Sequence, residues 1–437
     1  MERVYIGLIG FGTVGTGVVK ILQEKAKLLE ERLGFSLILK KIADLDITRD
    51  RGIKVSPAIL TTNVTEVIED PEISIIVELI GGLEPARTFI LQAMAKGKHV
   101  VTANKALLAV HGLEIFKAAD EYGVDLGFEG SVGGGIPIIR ALKEGLVANK
   151  IQVIFGILNG TSNYILSEMT ARNLKFEEVL KKAQELGYAE ADPTLDIQGI
   201  DTAHKLSILI SLAYGVQVKL EDIYTEGITS IAPMDVEYAK ELGYHIKLLA
   251  IAKSDGGPIE ARVHPTLLPA DHLLSTVSGP YNAIFVKGDA VGSTLFYGPG
   301  AGMMPTASAV VSDLVDLSRN LRLGANRRVP LLAYQRPYLK EGDIKSIENI
   351  SCPYYLRFTV VDRPGVLSRI SGILGDLDIS IASVIQKGRR AEKAVPIYIV
   401  THEAREKNMQ KALQVIDRLP IIVDKTVYMR IEDPSDF

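Results

Sequence analysis

Val4-Tyr5-Ile6-Gly7-Leu8-Ile9-Gly10-Phe11-Gly12-Thr13-Val14-Gly15 is the stretch that decides the fold. Residues 4–9 are mostly apolar and read as a strand. Glycines follow at the spacing of a tight turn, and a helical apolar period then runs to about residue 31. Strand, glycine turn and helix, in that order, are what a dinucleotide fold requires. Gly10 permits the turn, Gly12 lets backbone amides approach a pyrophosphate, and Gly15 lets the helix pack closely on the strand. The positive end of the helix faces the phosphates. With Phe11, Thr13 and Val14 between them, these glycines form the expected coenzyme cradle.

The pattern repeats downstream. Residues 36–43, 73–80 and 99–102 read as strands, and residues 85–96 and 107–122 as helices, which predicts an α/β, Rossmann-type domain. The second strand ends in Ile42-Ala43-Asp44-Leu45-Asp46. An acid at that point accepts hydrogen bonds from the adenosine ribose and repels a 2′-phosphate, so Asp44 favours NAD. Arg49 and Arg51 follow within reach of a phosphate, which leaves NADP open. The segment Val100-Val101-Thr102-Ala103-Asn104-Lys105 stands at a strand's carboxyl end, where open α/β sheets place their ligands. Lys105 there is either poised between nicotinamide and substrate or an ordinary surface lysine of a loop.

Composition narrows the class. The 437 residues are 47% hydrophobic, enough for two or three domains with sizeable cores. A net charge of -4, with the basic residues scattered, argues against nucleic acid as a partner. One cysteine, Cys352, excludes an internal disulfide framework and fits a linker position. No apolar run reaches membrane-spanning length and the N-terminus runs directly into a strand pattern, so a cytoplasmic enzyme is expected. The histidines lack metal-ligand spacing, and no Gly-x-Ser-x-Gly element offers a nucleophile for hydrolysis.

The most chemical segment is residues 183–205, where Glu190, Asp192, Asp196, Asp201 and Lys205 crowd a turn that runs into an apolar helix. Asp201 and Lys205 are one turn apart and share a face. A lysine flanked by acids in a partly dry site can hold a proton near a reacting oxygen and release it. The run Ala183, Gly187, Tyr188, Ala189, Asp192-Pro193, Asp196-Ile197, Gly199, Asp201 and Lys205 resembles the signature of homoserine dehydrogenases, which interconvert L-aspartate 4-semialdehyde and L-homoserine.

That resemblance implies roles residue by residue. Thr102 and Lys105, in the Thr-Ala-Asn-Lys element, would contact coenzyme, and Lys105 also substrate. Gly187, Glu190 and Gly302 would face the coenzyme, and Glu190 and Asp201 would hold the substrate with the two lysines. Which lysine delivers the proton stays open; Lys205, oriented by Asp201, is the choice adopted. Residues 129–137, Glu129-Gly130-Ser131-Val132-Gly133-Gly134-Gly135-Ile136-Pro137, read from their spacing as a hinge. In the family the same element resembles a sodium site, with the Glu129 side chain and the carbonyls of Val132, Gly134 and Ile136 as ligands. Asn159-Gly160-Thr161-Ser162-Asn163 opens a helix, either as a substrate-carboxylate site or as an ordinary cap.

Residues 354–431 alternate strand, helix, strand, strand, helix, strand, the ferredoxin-like βαββαβ order of an independent unit. Asp362-Arg363-Pro364-Gly365 resembles ACT domains, amino-acid-sensing modules that pair side by side, which in related enzymes carry feedback by threonine. The expected layout is 1–130 for NAD(P) binding, completed by 299–321, then an α+β substrate and dimerisation domain at 131–298, a linker at 322–353 and an ACT domain at 354–437. A homodimer or homotetramer is expected. Two rival readings are a dehydrogenase for a related amino acid and a non-catalytic amino-acid sensor; the Asp201/Lys205 face argues against the second.

Overall fold

The computed structural model describes residues 2–386 and 394–432. Packing gathers the chain into two compact units, one of Met1–Gln152, Asp201–Glu221 and Tyr281–Gly342, the other of Val153–Ile200, Asp222–Pro280 and Asp343–Phe437.

The first unit is built on β1 (Arg3–Ile9), α1 (Thr13–Glu24), α2 (Ala26–Leu33), β2 (Ser36–Ala43), β3 (Leu60–Thr61), α3 (Thr65–Ile68), β4 (Ile73–Glu78), α4 (Ala86–Ala95), β5 (His99–Thr102), α5 (Lys105–Tyr122) and β6 (Leu126–Gly127). The six strands form one sheet in the order β3-β2-β1-β4-β5-β6, every pairing parallel. Both faces are covered, which is why β1 and β4 are near-continuous apolar runs. One face packs on Val18, Val19 and Leu22 of α1 and on Ala307, Val310, Val311, Leu314 and Leu317 of the helix Met303–Leu323. The helix expected to continue to about residue 31 is broken at Lys25, whose backbone leaves the helical region before α2 begins. The two pieces together account for the long interval between Gly10 and Asp44.

In the second unit the strand Tyr244–Lys253 pairs along its whole length with Glu260–Pro269 and on its other edge with Ile151–Ile157. Sequence patterning does not single out Tyr244–Lys253, because a run buried on both faces lacks the alternation that marks a half-exposed strand. The tail adopts the βαββαβ order: Tyr354–Val361, Val366–Asp376, Ile381–Ile385, Ala394–Thr401, Glu406–Ile416 and Ile422–Ile431. The tail sheet does not stand apart as expected. Its strand Ile422–Ile431 pairs in parallel with Glu260–Pro269, Thr266 facing Arg430 and Leu267 facing Ile431, so one sheet runs through both regions. Nor is all of 322–353 linker. Ser351–Cys352 pairs with Ala404–Arg405, and Ile350 and Cys352 enter the tail's core, where the cysteine serves as a small buried hydrophobe.

Arg430 closes that joint. It is 1% exposed, and its guanidinium grips Glu406 at 2.8 and 2.7 Å while the Tyr354 hydroxyl donates to the same carboxylate at 2.7 Å. Arg430→Met is expected to destabilise the protein by about 3–5 kcal/mol, because Glu406 is left buried without its cation. A fall in the urea midpoint measures this; an unchanged midpoint would show the pair to be dispensable.

Candidate active site

The glycine turn lies at the carboxyl edge of the first unit's sheet. Gly10 has φ +100, and its amide donates to Ala43 O at 2.9 Å. Gly15 faces Gly10 O so closely that a Cβ would stand 2.2 Å from that oxygen. No side chain caps α1, whose N-cap is Gly12, so Thr13, Val14 and Gly15 present their amides at a bare helix start. Asp44 closes the cradle from β2. Its carboxylate accepts the Phe11 amide at 2.5 Å and the Asp46 amide at 2.8 Å, with the Arg51 guanidinium 3.4 Å away. Arg51 in turn stacks on the Phe11 ring at 4.5 Å and donates to Phe11 O. The acid that sequence alone reads as repelling a 2′-phosphate is therefore partly neutralised by an arginine at the same edge.

Two strands away, Lys105 opens α5. Asn104 caps that helix, its Oδ1 accepting the Leu107 amide at 3.1 Å. The helix Ile200–Tyr214 brings Asp201 and Lys205, only 5% and 6% exposed, into the same unit. Asp201 lies between two ammonium groups: Lys205 Nζ is 2.7 Å from Oδ2 and Lys105 Nζ 2.9 Å from Oδ1. One carboxylate thus orients both lysines, leaving the triad with a net positive charge suited to a developing oxyanion. Lys105 is the open member, its side chain 42% exposed. Gly302 is the N-cap of Met303–Leu323 in the same unit.

Gly187 and Glu190 lie in the other unit, both exposed on the turn after the helix Phe176–Glu185. The acids around them have local duties: Asp192 accepts the Thr194 amide and hydroxyl, and Asp196 accepts Asn159 Nδ2 at 2.7 Å. The 159–163 segment is an ordinary cap. Asn159 Oδ1 takes the Ser162 amide, and the Thr161 and Ser162 hydroxyls donate to Tyr188 O and Asp196 O.

Around Glu129 the side chain caps a short helix, accepting the Ile139 and Arg140 amides at 2.9 Å each, while its own amide donates to Asp313 Oδ2 at 2.8 Å. Burial raises the Glu129 carboxyl above its usual range; burial, then the Glu129 charge, pushes Asp313 up to about 7. Val132 and Ile136 are buried, and Gly134 packs on the backbone of Gly300. Against Gly300 lies Asn282, wholly buried, with neither amide atom partnered among the described residues. Of the expected sodium ligands, Glu129 already accepts two amides and the Ile136 carbonyl accepts the Ile138 amide at 2.8 Å, so a cation there would share oxygens that are already hydrogen-bonded.

Family models match along most of the chain: the homoserine dehydrogenase NAD-binding domain at residues 10–129, the homoserine dehydrogenase domain at 137–315 and an ACT domain at 354–421. This chain belongs to the homoserine dehydrogenase family. The homoserine dehydrogenase of Pseudomonas aeruginosa is 46% identical over 433 residues, 99% of each chain. The crystal structure of a homoserine dehydrogenase from Thiobacillus denitrificans is 50% identical and superposes with a TM-score of 0.94 over 99% of both chains. A hyperthermophilic archaeal homoserine dehydrogenase solved in complex with NADPH is 27% identical, with a TM-score of 0.61 over 72% of this chain and 98% of its own. The protein is accordingly an oxidoreductase with homoserine dehydrogenase activity, a nicotinamide-coenzyme domain and a C-terminal ACT domain. Among the described residues no helix is long and apolar enough to cross a membrane.

Proposed function

We propose that homoserine oxidation and aspartate-semialdehyde reduction run at the Asp201 carboxylate, with Lys205 as proton carrier. The single observation behind this reading is that one buried carboxylate holds two ammonium groups at hydrogen-bond distance beside the carboxyl ends of the sheet. When bound in the 10–15 cradle, the coenzyme supplies or accepts the hydride. Lys205 donates a proton to the substrate oxygen in reduction and withdraws it in oxidation, and Asp201 fixes the ammonium's direction. Lys105 binds the substrate and the nicotinamide end, Thr102 and Gly302 serve the coenzyme, and Glu190 and Gly187 are assigned to the substrate ammonium and the coenzyme by family resemblance. Sodium, held by Glu129, Val132, Gly134 and Ile136, would anchor the segment that follows β6.

Both coenzymes are expected to work, NAD preferred. Asp44 stands where the ribose is read, and Arg51 offsets its repulsion of a 2′-phosphate. The archaeal relative's NADPH complex supports the second coenzyme. Arg51→Leu is expected to raise KM for NADP by about tenfold or more and to alter NAD much less, about 1.4 kcal/mol of lost phosphate pairing. Equal losses with the two coenzymes would remove Arg51 from the phosphate's recognition. The ACT domain is proposed to bind threonine and report it to the active site, in a cytoplasmic homodimer or homotetramer. Initial rates with homoserine and each coenzyme, with and without threonine, test the whole reading; failure to oxidise homoserine with either coenzyme would sink it.

A further inference from the structure

Glu78 ends β4 and is wholly buried, yet among the described residues no lysine, arginine or histidine pairs with it. Uncompensated buried carboxylates are costly, so its surroundings must hold it by hydrogen bonds. They do. Oε1 accepts the amides of Ile80 at 2.8 Å and Gly81 at 3.3 Å; Oε2 accepts the Thr102 hydroxyl at 2.8 Å. Burial raises the carboxyl above its usual range, and the Thr102 hydroxyl and the two amides oppose that rise.

Thr102 is the residue through which this reaches the active site. Its oxygen accepts the Asn104 amide at 3.0 Å, so its one hydroxyl proton is directed at Glu78. Asn104 then caps α5 through Oδ1 and ties back to Gly82 O through Nδ2 at 2.7 Å. The loops that follow β4 and β5 are thus bound to each other twice, by Glu78–Thr102 and by Asn104–Gly82. Lys105, the next residue, starts its helix from that clamp and ends 2.9 Å from Asp201.

We propose that Glu78 is a positioning residue for the reaction: its carboxylate sets the Thr102–Asn104 turn and thereby aims the Lys105 ammonium at Asp201. This rests on the reading that Lys105 serves substrate and coenzyme. Glu78→Gln keeps the size but leaves one acceptor oxygen, so the side chain can hold the Thr102 hydroxyl or the Ile80 and Gly81 amides but not both. Thr102→Val deletes the bond from the other end. Either change displaces Lys105 without touching it.

The test is steady-state kinetics with thermal unfolding and NADH fluorescence titration on the full chain. E78Q is expected to lower kcat by about 10–100-fold, as small misplacements of a reacting group do, with melting temperature little changed; T102V should lower kcat likewise and, because Thr102 also serves the coenzyme, weaken NADH binding as well. The double variant should be no worse than the poorer single one. In a Lys105→Ala background E78Q should cost nothing further, whereas a merely structural glutamate would cost the same in both backgrounds. A K105A enzyme with normal turnover would overturn the site reading and this inference together. An impaired K105A beside a fully active E78Q, or an E78Q loss undiminished by K105A, overturns the inference alone. Should E78Q fail to fold, E78D, which keeps the charge but shortens the reach to Thr102, takes its place beside K105A under the same criterion.

Discussion

Lys205→Ala is expected to lower turnover with homoserine by about 10²–10⁴-fold, the range for losing a positioned proton donor or acceptor. Coenzyme affinity should change little, because Lys205 lies on the helix Ile200–Tyr214 and not in the 10–15 cradle. The size of the effect follows from the geometry. Lys205 is 6% exposed and held 2.7 Å from Asp201, so water has poor access to replace its proton, and Lys105 is already engaged on the other oxygen of the same carboxylate. Removing Asp201's charge tests the arrangement from the opposite side. Asp201→Asn leaves both lysines in place but without a common anion, and kcat should again fall while the fold survives. Near-normal kcat in K205A would transfer the proton step to another group, with Lys105 the first to examine.

Gly10→Ala should abolish useful coenzyme binding. Gly10 sits at φ +100, where an alanine costs roughly 1–3 kcal/mol in strain. Its Cβ would also stand 2.6 Å from the Leu79 carbonyl carbon, so the loop after β4 must move. That loop bears the Ile80 and Gly81 amides on Glu78, so displacement would reach Thr102 as well. NADH affinity is expected to weaken by about 100-fold or more, near 2.7 kcal/mol, with a lowered melting temperature. Wild-type affinity in a folded G10A protein would show that the turn tolerates a side chain and that the phosphate cradle lies elsewhere.

Much of this molecule is legible in the order of its amino acids. The dinucleotide unit follows from local rules: an apolar strand, glycines at turn spacing and a helix report themselves within about thirty residues. The βαββαβ order of the tail is readable for the same reason, since each element there is amphipathic and bounded by turn residues. Patterning fails where burial erases periodicity, as in Tyr244–Lys253, and where composition alone draws a boundary. Ile350 and Cys352 resemble linker because the strand there is only Ser351–Cys352, too short to leave a pattern.

At the active site, sequence names Asp201, Lys205 and Lys105, the first two by helical spacing and all three by family resemblance. It offers no means of knowing that a single carboxylate joins the two lysines, because Lys105 and Asp201 are distant in the chain and no local rule relates them. Glu78 escapes sequence reasoning outright, hidden as one acid at the end of an apolar strand.

What the amino-acid order determined alone is therefore the chemistry on offer: which residues can turn, bind phosphate, hold a proton or sense an amino acid. Tertiary structure alone decided how those groups are paired. It placed Arg51 against Asp44, put Glu78 under Thr102 and joined the tail's last strand to Glu260–Pro269. The physical reason is range: propensity and periodicity act over a few neighbouring residues, whereas ion pairs and buried hydrogen bonds depend on which distant segments the packed core brings within about 3 Å.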